Sequence, residues 1–119
     1  MIYVDSQKML IEITRGDTGK IAFGAKDNEG NDYVPVAGDK LKFSVAKDFG
    51  KEPLFYVEHI MEDDVASFWT VTIEPSHTKS LKFDDYVFDV QLTTSSGVDT
   101  IIGKTDTVSP TFRVWGEVS

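Results

Sequence analysis

Apolar and polar residues alternate along most of this chain, and the 3.6-residue period of an amphipathic helix is nearly absent. Residues 40–47 show the pattern best, because Leu41, Phe43 and Val45 point to one side of an extended strand. Similar segments recur about every 8–12 residues, separated by turns rich in Gly, Asp and Asn. The predicted strands are 9–14, 20–25, 33–36, 40–47, 54–61, 67–73, 86–92, 98–103 and 111–115.

Two of these strands have a composition that predicts their place in a sheet. Pro35 has no N–H to donate, so residues 33–36 are predicted to form only a short edge piece. Residues 54–61 are apolar on both faces, which is typical of a central strand or of one covered by a partner.

Residues 74–81 break the alternation. They carry an early proline at Pro75, good helix formers and the apolar anchor Leu81, so we expect one short helical turn near 75–81 that bridges two sheets. Tyr86 opens the next strand just after this corner. We interpret it either as the tyrosine corner of an Ig-like sandwich or as an ordinary core tyrosine.

The predicted fold is all-β, an Ig-like β-sandwich of about eight or nine antiparallel strands. Residues 1–119 form one domain, in which residues 1–8 are an N-terminal arm, flexible or bound by a partner. Two sheets must each bury one face. The predicted inward residues are Ile11, Ile13, Ile21, Phe23, Leu41, Phe43, Val45, Trp69, Val71, Ile73, Tyr86, Phe88, Val90, Leu92, Ile102, Phe112 and Val114.

Composition narrows the function classes. The chain has no cysteine, which excludes disulfides, thiolate zinc sites and cysteine nucleophiles. Its net charge of −8 argues against nucleic acid and anionic membranes as partners. The acidic residues gather at predicted turns, where they keep a β-rich protein soluble or steer a basic partner. No signal peptide or membrane-length apolar run is visible, so we expect synthesis in a cytoplasm.

The motifs that suggest chemistry are weak. Residues 15–17 read Arg-Gly-Asp, as in integrin ligands, but they also suit a plain turn. Residues 27–32 place oxygen ligands at alternate positions but lack the rest of a calcium loop. Ser76 and His77 are neighbours in a short turn, and His59 is the only other histidine. We therefore expect no enzyme activity, no cofactor and no metal.

Aromatic residues give the one binding hint. Several lie on the predicted outward faces of their strands, where they suit protein interfaces or sugar stacking. Some could instead face the core through a bulge. The candidate interface residues are Phe49, Phe55, Tyr56, Phe68 and Trp115.

Together these segments resemble the small Ig-like β-sandwich domain of tailed-phage and prophage structural proteins, and the layout is similar to the N-terminal domain of phage baseplate upper proteins. The likeness covers about residues 9–118. The residues that carry it are 11–18, 38–45, 73–81, 86–92, 99–102 and 112–114. Its most distinctive parts are the Gly-Asp-Thr start of 16–18 and the Pro-x-x-Thr-Lys-x-Leu turn of 75–81.

The resemblance implies a non-catalytic attachment or spacer module in a virion. Its expected partners are other virion proteins or copies of itself, as a homo-oligomer, and not nucleic acid or membrane. Baseplate upper proteins continue into a helical stalk, whereas these residues hold one domain, so baseplate, tail, fibre and head-accessory roles all stay open. The alternative is a module that binds glycans or a host surface.

Overall fold

The computed structural model describes residues 2–5, 8–26, 29–62, 68–105 and 108–116. This part of the chain is built from strands and one helical turn, which confirms the all-β prediction. The elements are β1 (Ile2–Asp5), β2 (Leu10–Thr14), β3 (Gly19–Phe23), β4 (Lys40–Ala46), β5 (Pro53–Ile60), β6 (Trp69–Ile73), α1 (Pro75–Thr78), β7 (Asp84–Thr94), β8 (Gly97–Ile102) and β9 (Thr111–Trp115).

The strands form two very unequal sheets. The large sheet has seven strands in the order β1-β2-β9-β7-β4-β5, and β8 also pairs with β7. The long strand β7 pairs with β9 through its first half and with β8 through its second half. The small sheet contains only β3 and β6. The pairings are antiparallel except that between β2 and β9, which is parallel.

The core lies between the two sheets and has the predicted composition. Each residue predicted to face inward is buried except Ile102, which is partly buried, and Met61 and Leu81 join the core. Phe43 is at the centre of an aromatic cluster and is fully buried. Its ring centroid lies 5.8 Å from that of Phe23, and 5.4 Å and 6.0 Å from those of Phe88 and Phe112.

The predicted helical turn bridges the two sheets as α1. Glu74 precedes it in an extended conformation, and Pro75 begins it, where the missing N–H of proline costs nothing. Thr78 is buried, and its Oγ1 accepts the main-chain N–H of Gly16 at 2.9 Å. This hydrogen bond fixes α1 to the turn between β2 and β3.

The corner that follows α1 is a tyrosine corner. Tyr86 is buried at the start of β7, and its hydroxyl donates to the main-chain oxygen of Lys82 at 2.9 Å. This is the upstream main-chain hydrogen bond that defines the motif in Ig-like sandwiches.

Three local predictions differ from the structure. Residues 2–5 were expected to lie in an arm, but they pair with β2 as a strand, which satisfies main-chain groups of both segments. Residues 33–36 form no strand, and only an isolated bridge joins Lys26 to Asp32. Residues 54–61 were expected to form a central strand or one covered by a partner. β5 is not central: it is an edge strand whose outward apolar side chains are exposed in the single chain, and the cover by a partner stays a prediction. No helix among the described residues is long and apolar enough to cross a membrane.

Candidate interaction surfaces

The aromatic residues predicted to form an interface do not share one surface. Tyr56 and Trp115 lie on the outward face of the large sheet, each 52% exposed, and β7 and β4 separate their strands. Phe55 points inward instead: its ring lies 4.9 Å from that of His77 and 5.8 Å from that of Phe112. Adjacent residues of a strand point to opposite faces, so Phe55 cannot share the outward face with Tyr56.

The other two candidates lie outside the strands. Phe49 is partly buried in the turn after β4, with the ammonium of Lys104 at 5.7 Å from its ring centroid. Phe68 precedes β6 directly, is 48% exposed and borders an apolar cleft beside β3. Of the five candidate interface residues, Phe68 is thus the one that lines this cleft.

Trp115 stands beside a charged ladder that crosses the outward face of the large sheet. The guanidinium of Arg113 donates to both carboxylate oxygens of Asp85, at 2.6 Å and 3.2 Å, and to Glu12 at 3.2 Å. The indole N–H of Trp115 donates to the same Glu12 oxygen at 3.3 Å. The hydrogen bond from Arg113 lowers the pKa of Asp85, and the same contact raises the pKa of Arg113. These contacts hold an exposed indole in one orientation.

A second exposed apolar surface follows the edge strand β5. Leu54, Tyr56 and Ile60 point outward from it and are each about half exposed. The ammonium of Lys42 on β4 lies 4.4 Å from the centroid of the Tyr56 ring. This strip lies on an edge of the large sheet, where a protein partner could cover it.

The cleft that Phe68 borders is a concave apolar surface at the open side of the sandwich, beside β3. Its main cavity has a volume of about 800 Å³ and a connected one about 200 Å³. Residues shared by both cavities are Met9, Ala22, Phe23, Gly24 and Ile102. The cleft exists because the small sheet has only two strands and leaves part of the large sheet uncovered. The alternation pattern did not predict it, since each wall taken alone looks like an ordinary strand.

Tyr33 lines the cleft, and two contacts fix the position of its side chain. The Tyr33 ring stacks on that of the buried Trp69, with centroids 6.3 Å apart and planes at 6°. Its hydroxyl donates to the buried carboxylate of Asp39 at 2.5 Å, and Asp39 also accepts the N–H of Val36 at 3.0 Å. The hydrogen bond to Asp39 raises the pKa of Tyr33 to about 12. These contacts give residues 33–39 a fixed shape without a strand.

The Arg-Gly-Asp tripeptide forms a turn that is held against the body of the protein. The guanidinium of Arg15 lies 4.4 Å from the centroid of the Phe83 ring and donates to the Leu81 oxygen at 3.3 Å. The N–H of Asp17 donates to the Thr14 oxygen at 3.0 Å, which closes the turn. This arrangement agrees with the turn interpretation of residues 15–17.

Both histidines accept main-chain hydrogen bonds through Nδ1. His59 accepts the N–H of Thr70 at 3.0 Å, which links β5 of the large sheet to β6 of the small sheet. His77 accepts the N–H of Glu74 at 2.8 Å and stacks on Phe55. The imidazole of His77 therefore caps α1 rather than facing Ser76.

The described residues include no group of three or more His, Asp or Glu side chains placed to hold an ion. The calcium-like segment 27–32 begins with Asp27 and Asn28, which lie outside the described residues.

Comparisons with known proteins identify no family for this chain. A scan against protein-family models finds no match, and a search of curated proteins finds none. The phage resemblance is thus carried by the sequence pattern alone, and function has to be inferred from the surfaces described above.

Proposed function

We propose that this chain is a non-catalytic structural module of a phage or prophage virion, in the baseplate, tail, fibre or head. It acts by packing against other virion proteins or further copies of itself, after synthesis in the cytoplasm of the bacterial host. The apolar cleft beside β3 carries the proposal. Contiguous apolar surface of this kind is unfavourable in water and marks sites that contact another protein or bind a ligand.

The charge distribution supports an assembly role. A net charge of −8 keeps separate copies apart by mutual repulsion, so association requires a specific contact that outweighs it. The strip of Leu54, Tyr56 and Ile60 on β5 offers a second such contact on a different side of the fold. Two separate apolar surfaces suit a module that links neighbours.

A non-catalytic role agrees with the engagement of both imidazoles. His59 and His77 each use Nδ1 to accept a main-chain N–H, so these nitrogens hold the fold together. A histidine that acts as a general base needs a free acceptor nitrogen beside its substrate.

Purified particles test the proposal. Particles released after induction of the cell that carries this gene are separated on a density gradient, and the chain is quantified by mass spectrometry. We expect it to sediment with the particles at a constant ratio to the major virion protein across the peak fractions. Recovery of the chain only in the soluble fractions would overturn the virion role.

Glycan binding at Trp115 is the second candidate function. An exposed indole fixed by Glu12, with Arg113 and Asp85 beside it, combines a stacking surface with polar groups for sugar hydroxyls. Titration with a broad glycan panel, followed by tryptophan fluorescence, should then give a response that Trp115→Phe abolishes. Silence across the panel would remove this candidate.

A further inference from the structure

Strand β3 has an edge that no described strand pairs with. β6 pairs with its other edge. A Cβ placed on Gly19 would lie 2.8 Å from the Ile2 side chain, so Ile2 covers the inward face of β3 at Gly19 and leaves the edge itself unpaired. Among the described residues, no strand pairs with this edge between Lys20 and Phe23. Unpaired main-chain groups of this kind are a template for another extended chain.

This open edge lacks two of the usual features that prevent pairing, proline and a β-bulge, and carries one charged side chain, that of Lys20. The large-sheet edge at β5 begins with Pro53, and the pairing of β4 with β5 shifts register between Val45 and Ala46. β3 contains no proline, and its register with β6 is unbroken. Proline and bulges are devices by which proteins protect their sheet edges, so β3 is left comparatively accessible.

The apolar cleft runs along the same edge. Ala22, Phe23 and Gly24 line both of its cavities, and Met9 and Ile102 form the facing wall. Successive side chains of a strand point to opposite sides, so a chain paired with β3 would direct every second side chain into the cleft. Ala22 and Gly24 are small, so such a chain can approach closely.

The backbone at Met9 is a further sign of a functional surface. Met9 has a φ of 51°, the left-handed region that is costly for a residue with a side chain. It is the only described residue other than glycine with a positive φ. Its main-chain oxygen accepts the N–H of Thr111 at 2.9 Å, which holds it in place. Backbone outliers of this kind cluster at binding sites.

We propose that the cleft binds an extended strand of a partner protein, which pairs with the open edge of β3 and inserts apolar side chains at alternate positions. The inference names the class of partner for the assembly role proposed above and rests on that role. It uses the main-chain recognition by which sheets elsewhere accept an added strand.

Strand β3 of a second copy fits the cleft poorly. Ile21 and Phe23 are 4% and 8% exposed, so β3 of another copy has no free apolar side chains to insert. Each copy also carries a charge of −8. The same charge favours a partner strand with Lys or Arg at its ends, because these would meet a negative potential outside the apolar cleft.

Synthetic peptides test the inference on the intact chain. The probe is a short peptide of alternating valine and threonine with two lysines at each end, and binding is followed by calorimetry. Two control peptides have the same sequence but methylated main-chain nitrogens. One is methylated at every valine and the other at every threonine. Only every second residue of a strand directs its N–H at a given neighbour, so one of the two should bind at least about tenfold more weakly than the unmodified peptide.

A pair of protein variants locates the site. A Cβ on Gly24 would meet no atom within 4 Å, so Gly24→Phe fills the mouth of the cleft without disturbing the fold. Thr70→Phe places the same side chain on β6, directly opposite Ala22 and outside the cleft lining. We expect Gly24→Phe to weaken peptide binding about tenfold or more and Thr70→Phe to change it less than about twofold.

Three results would overturn the inference. They are no binding of the unmodified peptide at millimolar concentration, equal binding of all three peptides, and equal weakening by the two variants. Equal binding of the methylated peptides would mean that the cleft takes an apolar ligand without strand pairing. If the peptide does not bind, the particle experiment can still find the chain in virions. If the chain is absent from the particles, peptide binding can still be measured. The two proposals can therefore fail separately.

Discussion

Replacing Phe43 by alanine tests the packing on which both proposed surfaces depend. Phe43 is fully buried on β4, between β5 and β7, and three aromatic rings surround it within 6.0 Å. A Phe-to-Ala change in a core costs about 3–5 kcal/mol, through lost burial and the cavity that remains. Phe43→Leu keeps most of the volume and loses the ring pairs, so we expect a cost of about 1–2 kcal/mol.

Urea unfolding at pH 7 measures both changes, with the fluorescence of the buried Trp69 as the signal in a Trp115→Phe background. Tyr56→Ala is the control, because this half-exposed side chain on the outward face of β5 should cost less than about 1 kcal/mol. A loss below about 1 kcal/mol for Phe43→Ala, at an unchanged m-value, would show that Phe43 is not the centre of the core and that the strand register is wrong.

Three further predictions follow from single contacts. Tyr86→Phe should lower the free energy of unfolding by about 1 kcal/mol in urea titrations, because the hydrogen bond to the Lys82 oxygen is lost. The Asp39 contact raises the pKa of Tyr33 to about 12, so its stabilisation is complete below about pH 10 and is lost as the pH rises towards 12. Urea midpoints at pH 8 and 11 should therefore differ less in Tyr33→Phe than in the wild type. Burial raises the pKa of Asp89, so Asp89→Asn should stabilise the fold at neutral pH, and urea midpoints should show this gain vanishing as acid protonates the wild-type carboxyl. An unchanged gain at low pH would contradict this last assignment.

Much of the fold follows from local patterns in the sequence. The alternation of residues 40–47 and 86–92 locates β4 and β7 and identifies their buried faces, because a period of two has only one way to bury its apolar side. Pro75 and the anchor Leu81 locate the helical turn for similarly local reasons. Tyr86 after that turn indicated either a tyrosine corner or an ordinary core tyrosine, and the hydrogen bond to the Lys82 oxygen identifies it as the corner.

The candidate surfaces were predicted less well. Phe55 and Tyr56 were both expected to face outward, but Phe55 faces the core and only Tyr56 faces outward. The face depends on the strand register, which pairs Phe55 with the buried Val45 and Tyr56 with Ser44 of β4. β5 was expected to be central or covered by a partner, since apolar residues on both faces usually indicate full burial. It lies at an edge of the large sheet, which leaves only the second alternative. β1 was missed because its four residues give too short a pattern to distinguish a strand from an arm.

The sequence by itself determined which residues are buried and where the strands turn, because these depend on periodicity and on Gly, Pro, Asn and Asp at fixed positions. Only the tertiary structure decided how the strands divide between the sheets. Placing seven in one and two in the other depends on pairings between distant segments, such as β2 with β9 and β4 with β7. That division leaves β3 with an open edge and creates the cleft beside it. The proposed binding site is thus a consequence of strand order, which no local pattern of side chains encodes.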